Sequence, residues 1–175
     1  MDENIVVLLD QNKEFILGLL NDNHGDEGFL RSKERLLLQG IVGIIDEINE
    51  MNREEEELKT LQELGDILFY IVVLIEGLSR YNTECLKVLW KTYENRNKLS
   101  DNTTDSMLSL SKKIAFQNRI DLLDSLAELV GIYLVQLHEN IGFEGISLAI
   151  ALMRYKLKKR YPNGYNIQDS IERKS

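Results

Sequence analysis

The sequence predicts an all-α protein, a helical bundle, on three observations. Its single proline, Pro162, lies near the C-terminus. Long stretches repeat apolar residues at the i, i+3, i+4 spacing of an amphipathic helix. Leu, Ile, Glu, Lys and Asn dominate between sparse glycines. At 175 residues the chain fits one domain spanning 1–175 and is long enough to bury a sizeable interior.

Residues 4–20 read as a first helix with Ile5, Leu8, Leu9, Phe15, Ile16 and Leu19 available for burial. The polar segment 21–28 (NDNHGDEG) is a loop on composition. Ser32 is an N-cap for a helix over 33–52, whose apolar stripe is Leu37, Ile41, Ile44, Ile45 and Ile48. The next helix covers 55–80 with a stripe of Leu64, Ile67, Leu68, Ile71 and Ile75. After Asp66 it becomes apolar on every side, the mark of a buried helix. A helix over 83–98 follows, then a polar linker, 100–105 (SDNTTD), and helices over 106–116, 119–140 and 144–160. The tail 161–175 opens on Pro-Asn-Gly, a turn signal, and is expected to be irregular.

The formal charge is −8 and the isoelectric point about 4.9, which argues against binding a nucleic-acid polymer by its backbone. Cys85 is the single cysteine, so no intramolecular disulfide is available and a reducing, cytoplasmic setting is the simpler expectation. The N-terminal stretch lacks the basic region of a signal peptide. The longest apolar run, from Ile67 to Ile75, is about half of what crosses a bilayer, so no membrane association is expected.

Chemistry concentrates in two acidic pairs, Glu47 with Glu50 and Glu63 with Asp66. Each pair has i,i+3 spacing, so its carboxylates project from one side of a helix. The twelve residues between the pairs suffice to end one helix, turn and start the next. Two antiparallel helices then bring four carboxylates together at the edge of an apolar interior, where they repel unless a cation intervenes. Oxygen-only ligands favour Mg²⁺, with Mn²⁺ as a substitute. The run 54–57 reads instead as a solvated turn and helix start. His24 and His138 are isolated, and Trp90 and Cys85 read as packing residues; Phe69, Tyr70 and Val73 continue along the carboxylate face, Phe69 and Tyr70 as core residues first with base contact as the lesser alternative.

The arrangement Asp46-Glu47-x-x-Glu50, twelve residues, Glu63-Leu-Gly-Asp66 resembles the signature of the MazG-like, all-α nucleoside triphosphate pyrophosphohydrolases. The string ELGDILFY (63–70) looks like that family's second metal helix, and KLKKRYPNGYN (156–166) is similar to its basic ending. Departures are Asp46 for a Glu, Asn49 for a Gly, Met153 for an Asn, and some ninety residues between the two motifs where about thirty is usual. A second Asn-x-x-Lys-Leu pattern, at Asn95, Lys98 and Leu99, stands at the usual distance from Asp66.

The resemblance implies a four-helix core holding Mg²⁺ on Glu47, Glu50, Glu63 and Asp66, with Glu47 or Asp46 handling the attacking water. It implies hydrolysis of a (deoxy)nucleoside triphosphate to the monophosphate and pyrophosphate. Two rival basic sets are available for the phosphates, Asn95 with Lys98, and Lys156 with Lys159 and Arg160; Tyr161 and Tyr165 are candidates for packing on ribose or base. A homo-oligomer, with a dimer favoured, is implied as well. An echo at an offset of 58 residues aligns Asp66 with Asp124 and Glu63 with Asp121. It suggests a first unit over about 31–99 and a degenerate second over about 105–160. Two other readings use the same residues: a catalytically weakened nucleotide-binding homologue, and a structural helical interaction protein whose carboxylates are surface charge.

Overall fold

The computed structural model describes residues 4–21, 32–96 and 103–162. These residues form six α-helices and one 3₁₀ turn, and no strand, so the all-α expectation holds. The helices are α1 (Ile5–Asn21), α2 (Lys33–Arg53), α3 (Glu57–Tyr81), α4 (Cys85–Glu94), α5 (Thr103–Gln117) and α6 (Leu123–Arg160). The segment 22–31, Lys98, Tyr165 and nearly all of the tail lie outside the described residues.

Ser32 caps α2 as expected, its hydroxyl accepting from the Arg35 N–H. Only 54–56 separate α2 from α3, and the Glu54 carboxylate folds back to accept the N–H groups of Glu55 and Glu56. So short a connection makes the helices antiparallel neighbours. Glycines then set how closely they approach. A methyl group on Gly40 would meet Leu74, one on Gly43 the Tyr70 ring, and one on Gly77 the Leu37 backbone, each within 2.9 Å. The numbers of each facing pair add to 113 or 114. Continued toward the turn, that register sets Glu47 across from Asp66 and Glu50 across from Glu63.

Several boundaries differ from the sequence reading. Helix α4 starts at Cys85 because the Asn82 side chain and carbonyl hold a turn, accepting from the N–H groups of Glu84 and Cys85. It stops at Glu94, where Asn95 caps it and Arg96 enters the left-handed region at φ 53°. Helix α5 begins at Thr103, inside the expected polar linker; Thr103 is buried and Asp105 favours the first turn. The expected helix over 119–140 starts late, because Arg119 folds onto Asp121 and 120–122 wind as a 3₁₀ turn. The expected break before Glu144 falls at Gly142 (φ 71°, ψ 170°), which divides α6 into two arms.

The C-terminal arm of α6 crosses α3 with almost no gap, since a methyl on Gly65 would lie 2.4 Å from the Ala149 carbonyl oxygen. The first arm packs on α4 in the same way, through Gly131 beneath Leu89 and Thr92. Helix α5 lies against α2 and α6, and α1 against α3. The interior is apolar and contains Ile41, Ile44, Ile67, Ile71, Leu134 and Ile146 with no exposed surface. Cys85 is 1 % exposed, and its Sγ lies 3.0 Å from the Asn82 carbonyl oxygen. No described helix is long and apolar enough to cross a membrane.

Candidate metal and phosphate site

The short α2–α3 turn brings the two acidic pairs to one level of the bundle. Glu47, Glu50 and Glu63 each offer a carboxylate oxygen within 4.8 Å of the others. Among the described residues this is the one group of three or more acidic, His or Cys side chains so arranged. Glu50 is exposed, while Glu47 and Glu63 are half-buried, and one oxygen of each (Oε2) has neither solvent nor a hydrogen-bond partner. Carboxylates this close repel unless a proton or a cation lies between them.

The acidities register that conflict. Burial, reinforced by a hydrogen bond to Glu63 and the charges of Asp66, Glu50 and Glu63, pushes Glu47 up to about 9. Glu50 is also raised, by desolvation first and by Glu63 next. Asp66 is raised because burial outweighs the pull of the cation it touches, the Lys156 ammonium. That ion pair is about one-fifth exposed on each side. Asp66 therefore borders the glutamate cluster but faces α6, and Lys156 is its direct partner. Asp46 is exposed at the rim, close enough for its charge to act on Glu50 and Tyr70.

The basic ending divides by helix face. Lys156 stands one turn beyond Met153, which packs over Gly65, and Arg160 one turn further still lies close enough to favour the Asp66 carboxylate. Arg154 and Lys158 point to another face and hold α1: Arg154 donates to Asn12 Oδ1 at 2.9 Å, and both cations lie over the Phe15 ring. Lys159 is exposed, and Tyr161 is 8 % exposed, built into the packing at the end of α6. Asn95 caps α4, beside Tyr93 and Arg96, which meet His138 at 2.6 and 3.3 Å. Of the two rival sets, the one from α6 adjoins the carboxylates; in the other, Asn95 is the described member.

Tyr70, expected as a core residue on the carboxylate face, borders this site. Its ring covers Gly43 and meets Phe69 edge-on at 5.2 Å between centroids. Its hydroxyl is pushed up to about 12, first by burial and then by Glu47, Asp66, Asp46 and Glu50. Its i+4 spacing from Asp66 puts it one turn along the carboxylate face, as the sequence indicates.

The donor set is all oxygen and carries more negative charge than its surroundings neutralise, which fits a hard divalent cation and no soft one. The Asp121 and Asp124 counterparts in the echo form no such group: Asp121 is committed to Arg119, and Asp124 is exposed at the start of α6. A scan against protein-family models and searches of curated proteins and of solved structures return no match to this chain.

Proposed function

We propose that this protein is a Mg²⁺-dependent nucleoside triphosphate pyrophosphohydrolase. The observation that carries the reading is the convergence of Glu47, Glu50 and Glu63 next to the Asp66–Lys156 pair, carboxylates and a cation side by side. Carboxylates alone would repel a triphosphate, and lysines alone would not activate water.

Glu47, Glu50, Glu63 and Asp66 are the residues that would hold Mg²⁺ (or Mn²⁺), which when bound screens the triphosphate and acidifies water. Glu47, ionised once the cation is bound, is the carboxylate placed to accept a proton from the attacking water, and Asp46 at the rim is the other one placed to orient it. Attack at the α-phosphorus releases the monophosphate and pyrophosphate. Lys156 and Arg160 neutralise charge gathering on the phosphate oxygens. Tyr70, whose ring covers Gly43 and whose hydroxyl feels the carboxylate charges, forms one wall of the site. We read the protein as cytoplasmic and as a homodimer; Leu148 and Tyr155, seven residues apart and exposed on α6, supply an apolar stripe for the partner copy.

Pyrophosphate release across a panel of ribo- and deoxyribonucleoside triphosphates, with Mg²⁺ and with a chelator, tests the reading. The expected result is metal-dependent release that Glu63→Ala lowers by at least about a hundredfold. Absence of turnover with every nucleotide, in wild type and variant alike, sinks it. A second reading, nucleotide binding with weakened turnover, draws on Met153, which is buried over Gly65 where an amide is usual in the resembled family. Nucleotide-induced thermal stabilisation without pyrophosphate release would favour it.

A further inference from the structure

We infer that Lys156 and the divalent cation compete for Asp66, so that cation binding at the glutamates hands the Lys156 ammonium over to the triphosphate. The inference rests on the metal reading above and adds how the two ligands are coupled.

Asp66 is four-fifths buried and touches Lys156 across the α3–α6 contact. A carboxylate so placed needs a positive partner. An ammonium and a dication on the same carboxylate repel each other at a few ångströms, so the arrival of one weakens the hold of the other. The helix itself cannot give way: the Ala149 carbonyl and Met153 rest directly on Gly65, which fixes the backbone one turn before Lys156. The lysine stem can. Its four flexible carbons let the ammonium swing while the backbone stays.

Among the described residues, no neighbouring cation replaces it as the direct partner of Asp66. Arg154 and Lys158 are held by Asn12 and Phe15 on another face of α6. Arg160 influences Asp66 through space without an ion pair to it. The displaced ammonium is thus released at the place where the phosphates of a metal-bound triphosphate would lie. A cation without triphosphate leaves Lys156 unpaired, and triphosphate without cation meets a lysine already engaged. Each ligand therefore strengthens the other, as coupled equilibria require.

The experiment is a Mn²⁺ titration followed by electron paramagnetic resonance, on the full chain at pH 7.5 and low salt, without nucleotide. Wild type is compared with Lys156→Gln, Lys156→Met, Asp66→Asn and the Asp66→Asn/Lys156→Gln double variant, each first checked for helical content. Removing the ammonium is expected to tighten Mn²⁺ binding about fivefold, the scale of a partly exposed ion pair. In the Asp66→Asn background the same removal should change Mn²⁺ affinity less than twofold. Inorganic triphosphate, titrated with saturating Mn²⁺, should bind at least about tenfold more weakly to Lys156→Gln and Lys156→Met. Mn²⁺ binding that is unchanged or weaker in both Lys156 variants overturns the competition and leaves the metal site standing. Failure of wild type and variants alike to bind Mn²⁺ removes the metal reading and the competition with it.

Discussion

Gly65 lies directly beneath the Ala149 carbonyl, so close that a single methyl group would reach 2.4 Å from that oxygen and 2.9 Å from Met153 Cβ. Asp66 and Lys156 are 90 positions apart in the chain, and this contact is what brings them together. The glycine is therefore kept for space, since a helix interior otherwise favours alanine by about 1 kcal/mol.

Gly65→Ala should accordingly destabilise the fold, against its helix propensity, by about 1–3 kcal/mol, the usual range for overpacking a tight core. Urea unfolding midpoints of wild type and variant measure it. Equal or greater stability in the variant would mean that the two helices can separate cheaply. Lys156 would then owe its position to something else.

The cluster also makes a prediction about pH. Glu47 carries a folded value of about 9 against 4.5 for an unperturbed glutamate, and Glu50 and Asp66 are shifted the same way. Between those values the unfolded chain releases a proton that the folded chain keeps, so rising pH favours unfolding. The stability contributed by a protonated Glu47 is complete below pH 4.5 and lost as pH rises through 9. In the presence of a chelator, the thermal midpoint should therefore fall by about 3–6 °C between pH 5.5 and 8.5. Glu63→Gln, which removes the facing charge, should flatten the decline, and so should saturating Mg²⁺. A midpoint that rises over this interval in chelator would show that the carboxylates are not in conflict.

How much of this was legible in the sequence depends on how local each feature is. The helices were legible because Ile41, Ile44, Ile67 and Ile71 repeat with the helical period, and their burial follows from that repeat alone. The meeting of Glu47 and Glu50 with Glu63 was legible because only a short turn separates their helices. The choice between Lys156 and the Asn95–Lys98 set was not, because it depends on where a distant helix returns, fixed by the absence of a side chain at Gly65. The division of the basic ending was hidden for a similar reason. Arg154 and Lys158 differ from Lys156 and Arg160 only in which neighbour their face meets, α1 or α3. Tyr70 was legible as a member of the carboxylate face from its spacing to Asp66, whereas its seat over Gly43 depends on the neighbouring helix.

Arg154 gives α1 a polar anchor whose loss should be local. It donates to Asn12 Oδ1, and Asn12 is 5 % exposed with its own amide donating to the Leu8 carbonyl. Arg154→Ala leaves that buried oxygen unsatisfied, at about 1–3 kcal/mol, and removes the cation from the Phe15 ring. Lys13 with Glu76 still ties α1 to α3. Amide exchange, followed by mass spectrometry, should accelerate over residues 5–21 and stay unchanged over 57–81, with Mn²⁺ affinity within twofold of wild type. Faster exchange in α3 as well would mean that α1 is part of the cooperative core.

The second half of the chain, finally, should contribute no metal site of its own. Its two echo positions have other commitments. Asp121 is held below the ordinary carboxylate range by the two-pronged Arg119 contact, and Asp124 is exposed, as is Asp105, the counterpart of Glu47. The counterpart of Glu50 is Leu108, which offers no oxygen. Four ligands would thus have to come from three carboxylates spread between a 3₁₀ turn and two helix starts, one of them engaged by a guanidinium. Asp121→Asn with Asp124→Asn should therefore leave both the Mn²⁺ stoichiometry and the rate of pyrophosphate release within about twofold of wild type, because exposed substitutions away from a site rarely matter. Glu50→Gln with Glu63→Gln, which neutralises two members of the converging cluster, should abolish Mn²⁺ binding altogether. Residual binding at half the wild-type stoichiometry in that variant would reveal a second centre, and the echo at 58 residues would then be a working duplicate.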